Sequence, residues 1–153
     1  MKDTTTAPRL RTLPTRMLGQ VAALTGQHTI DALAEAGANR HQFSVLATLD
    51  AFGSLTQAEL CRRTGIDRSD MNAALNALEG RKIVGRSVDP ASRRQNIVSL
   101  HADGRDYFRD LDERIEMAQE AAMKPLSPDE RTELGKLLGK LYDHHTMVDR
   151  PEK

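Results

Sequence analysis

TQAELCRRTGIDRSDMNAALNALEGRKIVGRSVDPASRRQNIVSL, residues Thr56 to Leu100, decides the fold. It opens with a threonine at an N-cap position and Glu59 three residues later. That is the spacing of a capping box, in which each side chain takes an orphan backbone N–H. The helix so started carries Ala58, Leu60 and Cys61 as its small or apolar positions and stops at Thr64-Gly65, where glycine accepts the left-handed conformation. After Ile66, Asp67 caps a second helix. Met71, Ala74, Leu75 and Leu78 recur along it at i, i+3, i+4 and i+7 and form its expected buried face. Gly80 is its expected end. Two short helices joined at a glycine corner make a helix-turn-helix unit.

Ile83 and Val84 lead out of this unit into a hairpin. Asp89-Pro90-Ala91-Ser92 is a turn signal, with proline presetting φ, and Asn96-Ile97-Val98-Ser99-Leu100 reads as a short β-branched strand. Arg93 and Arg94 sit near the tip, where a core has no use for them. On a regular strand the two would point in opposite directions. A helix that can lie in the DNA major groove, beside a two-stranded wing carrying arginines, is a DNA-binding device.

From Thr56 to Arg105 the chain resembles the winged helix of MarR-family transcriptional regulators. The shared features are the TQAEL opening, the Gly-Ile-Asp-Arg-Ser corner, the Leu-Glu before the wing, Asp-Pro-x-x-Arg-Arg, and Val-x-Leu followed by Gly-Arg. The order of the flanking helices extends the resemblance from about Thr12 onward. It implies a mainly α (α+β) fold, a winged helix-turn-helix with N- and C-terminal dimerisation helices. Some positions depart from the family pattern. Asp70 and Ala73 stand where members often carry threonine and arginine, Ser92 replaces the aspartate that commonly supports the wing arginine, and His101 replaces the usual threonine cap.

Outward from this centre, Met1 to Arg11 is polar, threonine-rich and basic, and residues 1–12 are expected to form a flexible tail. Pro14 suits the first turn of a helix running to about Ala36. Leu10, Leu13, Met17, Val21, Leu24 and His28 trace one stripe. Leu18, Ala22, Thr25, Thr29 and Ala32 trace a neighbouring one, so one face can meet the core and the other a partner. Asn39 caps a further helix with Phe43, Val45, Leu46 and Leu49 inward, ending near Gly53. After the wing, Ala102 to about Met123 is a long charged helix with Tyr107, Leu111, Ile115, Ala118 and Ala122 down one side, a seam for another helix. Pro125 breaks it. Ser127-Pro128-Asp129-Glu130 restarts the chain with a serine cap, a proline at the first position and a glutamate to close the box. Leu134, Leu137, Leu138 and Leu141 follow, with Gly135 and Gly139 leaving room for another backbone. Residues 13–37 and 102–146 are therefore assigned to a helical dimerisation region, and 38–101 to the DNA-binding lobe.

At 153 residues, 39% apolar, 29% charged and 3% aromatic, the chain supports one helix-rich domain with a real core. Its apolar runs are too short for a membrane span or a signal peptide, and a single cysteine excludes an internal disulfide, so a cytoplasmic location is expected. Net charge is zero, yet it is segregated: +3 over residues 1–20, −2 over 21–55, +3 over 56–105 and −4 over 106–153. Positive charge gathers where phosphates would be met. No histidine pair has metal-motif spacing, Cys61 is expected to pack in the core, and no phosphate loop or nucleophile motif occurs. No metal, cofactor or enzymatic activity is expected.

The expected function is sequence-specific recognition of double-stranded DNA, by a homodimer on an inverted-repeat operator. The resemblance implies a repressor released by a small aromatic or phenolic effector. Thr56 and Gln57 start a helix and can hold phosphate. Arg68 is a base or phosphate contact, Ser69 and Asn72 can meet base edges, and Asn76 lies one turn further on the same face. Asp70 either accepts from a cytosine amino group or caps its own helix. Arg93 and Arg94 belong to the wing, Arg94 aligning with the family's wing arginine, and Arg81, Lys82 and Arg86 add positive charge. His28 and His41 are candidate linings of an effector pocket. The alternative is a winged-helix protein-interaction module without specific DNA binding, which Asp70 and Ala73 favour by weakening the positive face.

Overall fold

The computed structural model describes residues 6–148. In chain order the elements are α1 (Pro8–Arg11), α2 (Pro14–Glu35), α3 (Arg40–Phe52), β1 (Leu55–Thr56), α4 (Gln57–Thr64), α5 (Arg68–Gly80), β2 (Val84–Asp89), β3 (Ser92–Leu100), α6 (Ala102–Met123) and α7 (Pro128–Val148). The strands form one antiparallel sheet in the order β1-β3-β2. Residues 1–5 of the expected tail lie outside the described residues. Within the rest of that segment, Pro8–Arg11 close one helical turn, with Pro8 at a position where its missing N–H costs nothing and the Leu10 N–H bonded to the Ala7 carbonyl at 2.9 Å.

The core collects one face from each central element. Met71, Leu75 and Leu78 of α5 are fully buried and Ala74 nearly so, as their spacing requires, against Val45, Leu46 and Leu49 of α3, Leu60 of α4, Val84 and Val98 of the hairpin and Leu111 of α6. Phe43 is half-buried beside Phe108, their ring centroids 5.7 Å apart. Cys61 is also half-buried, packed against the core from α4. Asn39 caps α3 with a full box: its Oδ1 accepts the Gln42 N–H at 2.9 Å, and Gln42 Oε1 accepts the Asn39 N–H at 3.1 Å.

At α4 only half of the expected box forms. Thr56 Oγ1 accepts the Glu59 N–H at 3.1 Å, but the Glu59 carboxylate turns to Arg62 and to Arg63, whose Nε lies 2.7 Å away. Two guanidiniums one turn ahead are stronger partners for a carboxylate than a neutral N–H. Thr56 also belongs to β1, in register with Ile97 of β3. Asp67 caps α5 as its position predicts, accepting the Asp70 N–H at 2.9 Å.

Helix α5 ends at Gly80 as expected, and the left-handed conformation just beyond it falls on Lys82, with φ +59. Around it the Ile83 N–H reaches the Leu78 carbonyl and the Lys82 N–H reaches the Glu79 carbonyl, both at 2.9 Å. This is the paired bonding of a Schellman turn, in which a glycine usually takes the left-handed position. The hairpin turns at Pro90-Ala91, between Asp89 and Ser92, so β3 begins four residues earlier than the β-branched run suggests. A register shift between Val88 and Asp89 jumps the pairing from Asn96 to Ser92. Arg93 and Arg94 lie inside that jump, so the alternation of a regular strand does not govern them.

Helix α6 packs along α2 with Leu111 fully buried and Ala118 at 7% exposure, so the expected seam is filled within the chain. His101 precedes it without a side-chain cap, its Nδ1 lying 3.1 Å from the Lys82 carbonyl instead. Helix α7 opens with the expected box. Glu130 Oε2 accepts the Ser127 N–H at 2.7 Å, and this bond holds the Glu130 carboxyl below its ordinary range. Arg131 spans back to Glu120 of α6 at 2.7 Å. Beyond that point Leu137, Leu138 and Leu141 are 53%, 40% and 45% exposed, and no leucine of α7 is buried.

Two substitutions, one removing a glycine and one introducing it, give opposite expectations. A Cβ on buried Gly104 would sit 2.2 Å from the Ile83 carbonyl oxygen, so Gly104→Ala must push α6 off the hairpin and should cost about 1–3 kcal/mol. Lys82→Gly removes a left-handed side chain and should stabilise by about 1 kcal/mol. Urea denaturation of both variants checks this; a Lys82→Gly midpoint below wild type contradicts the turn described.

Candidate nucleic-acid interface

Helix α4, the start of α5 and the wing enclose a groove of about 840 Å³. From α4 it takes Gln57, Ala58, Cys61 and Arg62, from the corner Ile66 and Asp67, and from α5 Arg68 and Asn72. The wing supplies Arg86, Arg94, Gln95 and Asn96. Four residues singled out from sequence, Gln57, Arg68, Asn72 and Arg94, therefore meet on one concave surface, though they come from three elements. Gln57 Nε2 donates to Asn72 Oδ1, so the start of α4 braces the outward face of α5.

The other expected contacts are placed differently. Thr56 is half-buried, its hydroxyl engaged as the cap of α4. Ser69 and Asp70 are exposed on the first turn of α5 but do not line the groove. Asp70 is not the cap of its helix; Asp67 holds that role, because the cap must precede the first helical residue. Asn76 is occupied: its Oδ1 accepts from Arg86 Nη2, while Arg86 Nε lies 2.6 Å from Glu79. Arg93 is exposed and outside the groove. His28 and His41 are both exposed and line separate depressions. His28 lies between α2 and α6 with Asp31, Glu35 and Arg114, and His41 lies with Ile30, Asn39 and Arg40. One chain does not bring the two histidines into a single pocket, since they project from different helices toward different neighbours.

Folding also sorts the cations. Arg81 points away from the groove, its Nη1 donating to the Gly37 carbonyl at 3.1 Å and to the Tyr107 hydroxyl at 2.9 Å. Arg86 is paired with Glu79, and Arg62 shares Glu59 with Arg63. Arg68, Arg93 and Arg94, like Lys82, have no carboxylate partner among the described residues. Their charges are available to an anionic ligand. Arg62, Gln95 and Asn96 are groove residues that sequence reading passed over. Arg62 had a signal, since 57, 58, 61 and 62 share one helical face. Gln95 and Asn96 had none, because the register shift that exposes them is set by the turn. Among the described residues no group of three or more histidine, cysteine or carboxylate side chains gathers to hold a metal, and no helix is long and apolar enough to cross a membrane.

Comparison with known proteins agrees with this geometry. The profile of the MarR family matches residues 36–95. The HTH-type transcriptional repressor NicR of Pseudomonas putida is 31% identical over 102 residues, which are 67% of this chain and 65% of NicR, so the chain spans just under two thirds of that relative. The transcriptional repressor CouR, solved bound to a 23-mer DNA duplex, superposes with a TM-score of 0.81 at 27% identity, over 88% of this chain and 96% of its own. BpsR of Bordetella bronchiseptica, whose DNA binding is regulated by 6-hydroxynicotinic acid, superposes with a TM-score of 0.77 at 25% identity, over 86% and 94%. Sequence profile, identity and fold agree with the groove on one conclusion: residues 36–95 form a winged helix that matches the MarR family, and the chain as a whole is similar to regulators of that family.

Proposed function

We propose that this chain is a dimeric transcriptional regulator that binds an inverted-repeat operator in double-stranded DNA and represses until a small aromatic acid releases it. The observation that carries the reading is the groove in which Gln57, Arg68, Asn72 and Arg94 converge from α4, α5 and β3. In this reading the outward face of α5 lies in the major groove, with Arg68 and Asn72 toward base edges and phosphates. Arg94 enters the flanking minor groove, where a cation is favoured by the enhanced negative potential. The DNA-bound state of CouR supports this use of the fold. Regulation would take place with the DNA, in the cytoplasm.

A second copy of the chain is the partner that the outer helices suit. Leu18, Val21, Leu24 and Ile30 of α2 and Leu137, Leu138, Leu141 and Tyr142 of α7 are all exposed, more large apolar surface than a monomer ordinarily shows to water. Gly135 and Gly139 face open space, so another backbone can approach there. Two-fold pairing then calls for half-sites about 10 bp apart. For the effector, the depression at His41 offers Arg40 for a carboxylate beside the apolar Ile30, and the one at His28 offers Arg114. The regulation of BpsR by 6-hydroxynicotinic acid supports an aromatic acid as the class.

Three measurements test this reading. Arg94→Ala should weaken operator binding by ~1–3 kcal/mol, and more for operator than for scrambled DNA. Arg93→Ala, whose side chain lies outside the groove, should lose less and equally on both DNAs. Wild-type affinity of Arg94→Ala on both would favour the protein-interaction alternative. A Cβ added at Gly139 would meet nothing within 4 Å outside its own stretch of helix, so a loss of association in Gly139→Leu reports on the partner. It should raise the dimer dissociation constant at least ~10-fold by sedimentation, since a well-packed contact cannot absorb a whole side chain. A wild-type monomer at micromolar concentration would remove the dimer. Finally, 6-hydroxynicotinic and related aromatic acids should raise the melting temperature and lower DNA affinity, both effects weakening in Arg40→Ala; no response to any of them ends the effector reading.

A further inference from the structure

Helix α2 ends at Glu35 with no basic residue in its last turn. Backbone N–H groups of Ala36, Gly37 and Ala38 take the Leu33 and Ala34 carbonyls, which leaves the negative end of the dipole and the carbonyls of Ala36 and Gly37, just past the helix, to partners from elsewhere. Two side chains from other parts of the fold supply them. Tyr107 of α6 donates its hydroxyl to the Ala36 carbonyl at 2.9 Å, and Arg81 donates to the Gly37 carbonyl at 3.1 Å. Arg81 also donates to the Tyr107 hydroxyl at 2.9 Å and stacks its guanidinium over that ring, 4.5 Å from the centroid. Arg81 follows immediately on Gly80, the last residue of the recognition helix, and the left-handed Lys82 turns the chain into the wing just beyond it. A single guanidinium thus joins the end of α5 to the end of α2, which carries part of the outer apolar surface, and to α6, which packs along α2.

We propose that Arg81 is a positioning residue that sets the angle between the recognition helix and the dimerisation helices, and thereby the half-site spacing that the dimer accepts. The proposal rests on the DNA-binding and dimer readings above. Most of the burial that holds α5 is with α3, α4 and the wing, inside the lobe itself. That packing fixes α5 within the lobe and leaves its orientation to the partner's recognition helix dependent on how the lobe is tied to α2 and α6. Arg81 and Tyr107 are the polar tie at that junction. Spacing is a sensitive readout of it, because one inserted base pair rotates the second half-site by roughly 36°.

The test uses the full-length protein and two measurements. In the first, wild type, Arg81→Ala, Arg81→Lys and Tyr107→Phe are titrated against duplexes with the preferred spacing, with one base pair added or removed, and with a lone half-site. Wild type should lose at least ~10-fold when the spacing is changed, because both recognition helices are held in one register. Arg81→Ala should cut that penalty to about threefold or less while keeping the affinity for a lone half-site, since Arg81 lies outside the groove. Arg81→Lys keeps the charge but loses the planar stack and should fall between them. Tyr107→Phe removes the hydroxyl and keeps the ring, so it should move in the same direction even if Arg81→Ala does not fold. In the second, spin labels on exposed Ala73 of α5 and exposed Glu116 of α6 are placed in a Cys61→Ser background and diluted into excess unlabelled protein. They report the angle within one chain, without DNA. The distance distribution should broaden in Arg81→Ala and Tyr107→Phe. An unchanged distribution, or an undiminished spacing penalty, overturns the proposal. A broadened distribution in a protein whose wild type binds no duplex instead overturns the DNA reading, and the spacing role with it.

Discussion

The burial of Met71, Ala74, Leu75 and Leu78 is the constraint on which the rest of this structure depends. Each large side chain taken fully from water is worth ~1.5–3 kcal/mol, and three of the four are large. The Asp67 cap at the start of the same helix is worth about 1 kcal/mol. The cap therefore decides where α5 begins, and the apolar face decides how it is rotated. Once that face is committed to Leu46, Leu60, Val98 and Leu111, the opposite one, with Ser69, Asn72, Ala73 and Asn76, is the only one left for a ligand.

Electrostatics then refines what that face can do. The segment from Thr56 to Arg105 carries nine basic residues, but several are engaged within the protein. Glu59 holds Arg62 and Arg63, Glu79 holds Arg86, and the end of α2 together with Tyr107 holds Arg81. A guanidinium bonded to a carboxylate contributes little long-range field, whereas one facing solvent still draws phosphate. The working positive charge is concentrated at Arg68 and at the wing, on either side of the groove. Asn76 is likewise drawn into the contact between α5 and β2, which leaves the first two turns of α5 as its unengaged outward face.

The outer helices face a different balance. Helix α6 finds α2 within the chain, but the leucines of α7 find no burial there, and open space surrounds Gly135 and Gly139. Exposed leucine at this density is costly in water and is offset only by association. Homodimerisation through this surface is consistent with the symmetric operator proposed, since an isologous contact places two identical reading heads about a two-fold axis.

Local chemistry was legible in the amino-acid sequence wherever one element sufficed to express it. The buried face of α5, the caps at Asn39, Asp67 and Ser127 and the Pro90-Ala91 turn each follow from a few neighbouring residues, and periodicity or turn chemistry reports them directly. The winged-helix order follows from stringing such elements together. Tertiary structure alone decided everything that required two elements to meet. Glu59 is the local exception, since its carboxylate left its box for two arginines one turn ahead on the same helix. Arg81 and Asn76 left the interface, and Arg86 at the groove was paired with Glu79, because partners on other elements claimed them. The left-handed position after Gly80 fell on Lys82 because the turn had to deliver Ile83 into the core, a requirement set by the hairpin's docking and not by the helix. His28 and His41 parted because α2 and α3 direct them to different depressions. A side chain's propensity is written locally, whereas its partner is chosen by the packing of the whole chain.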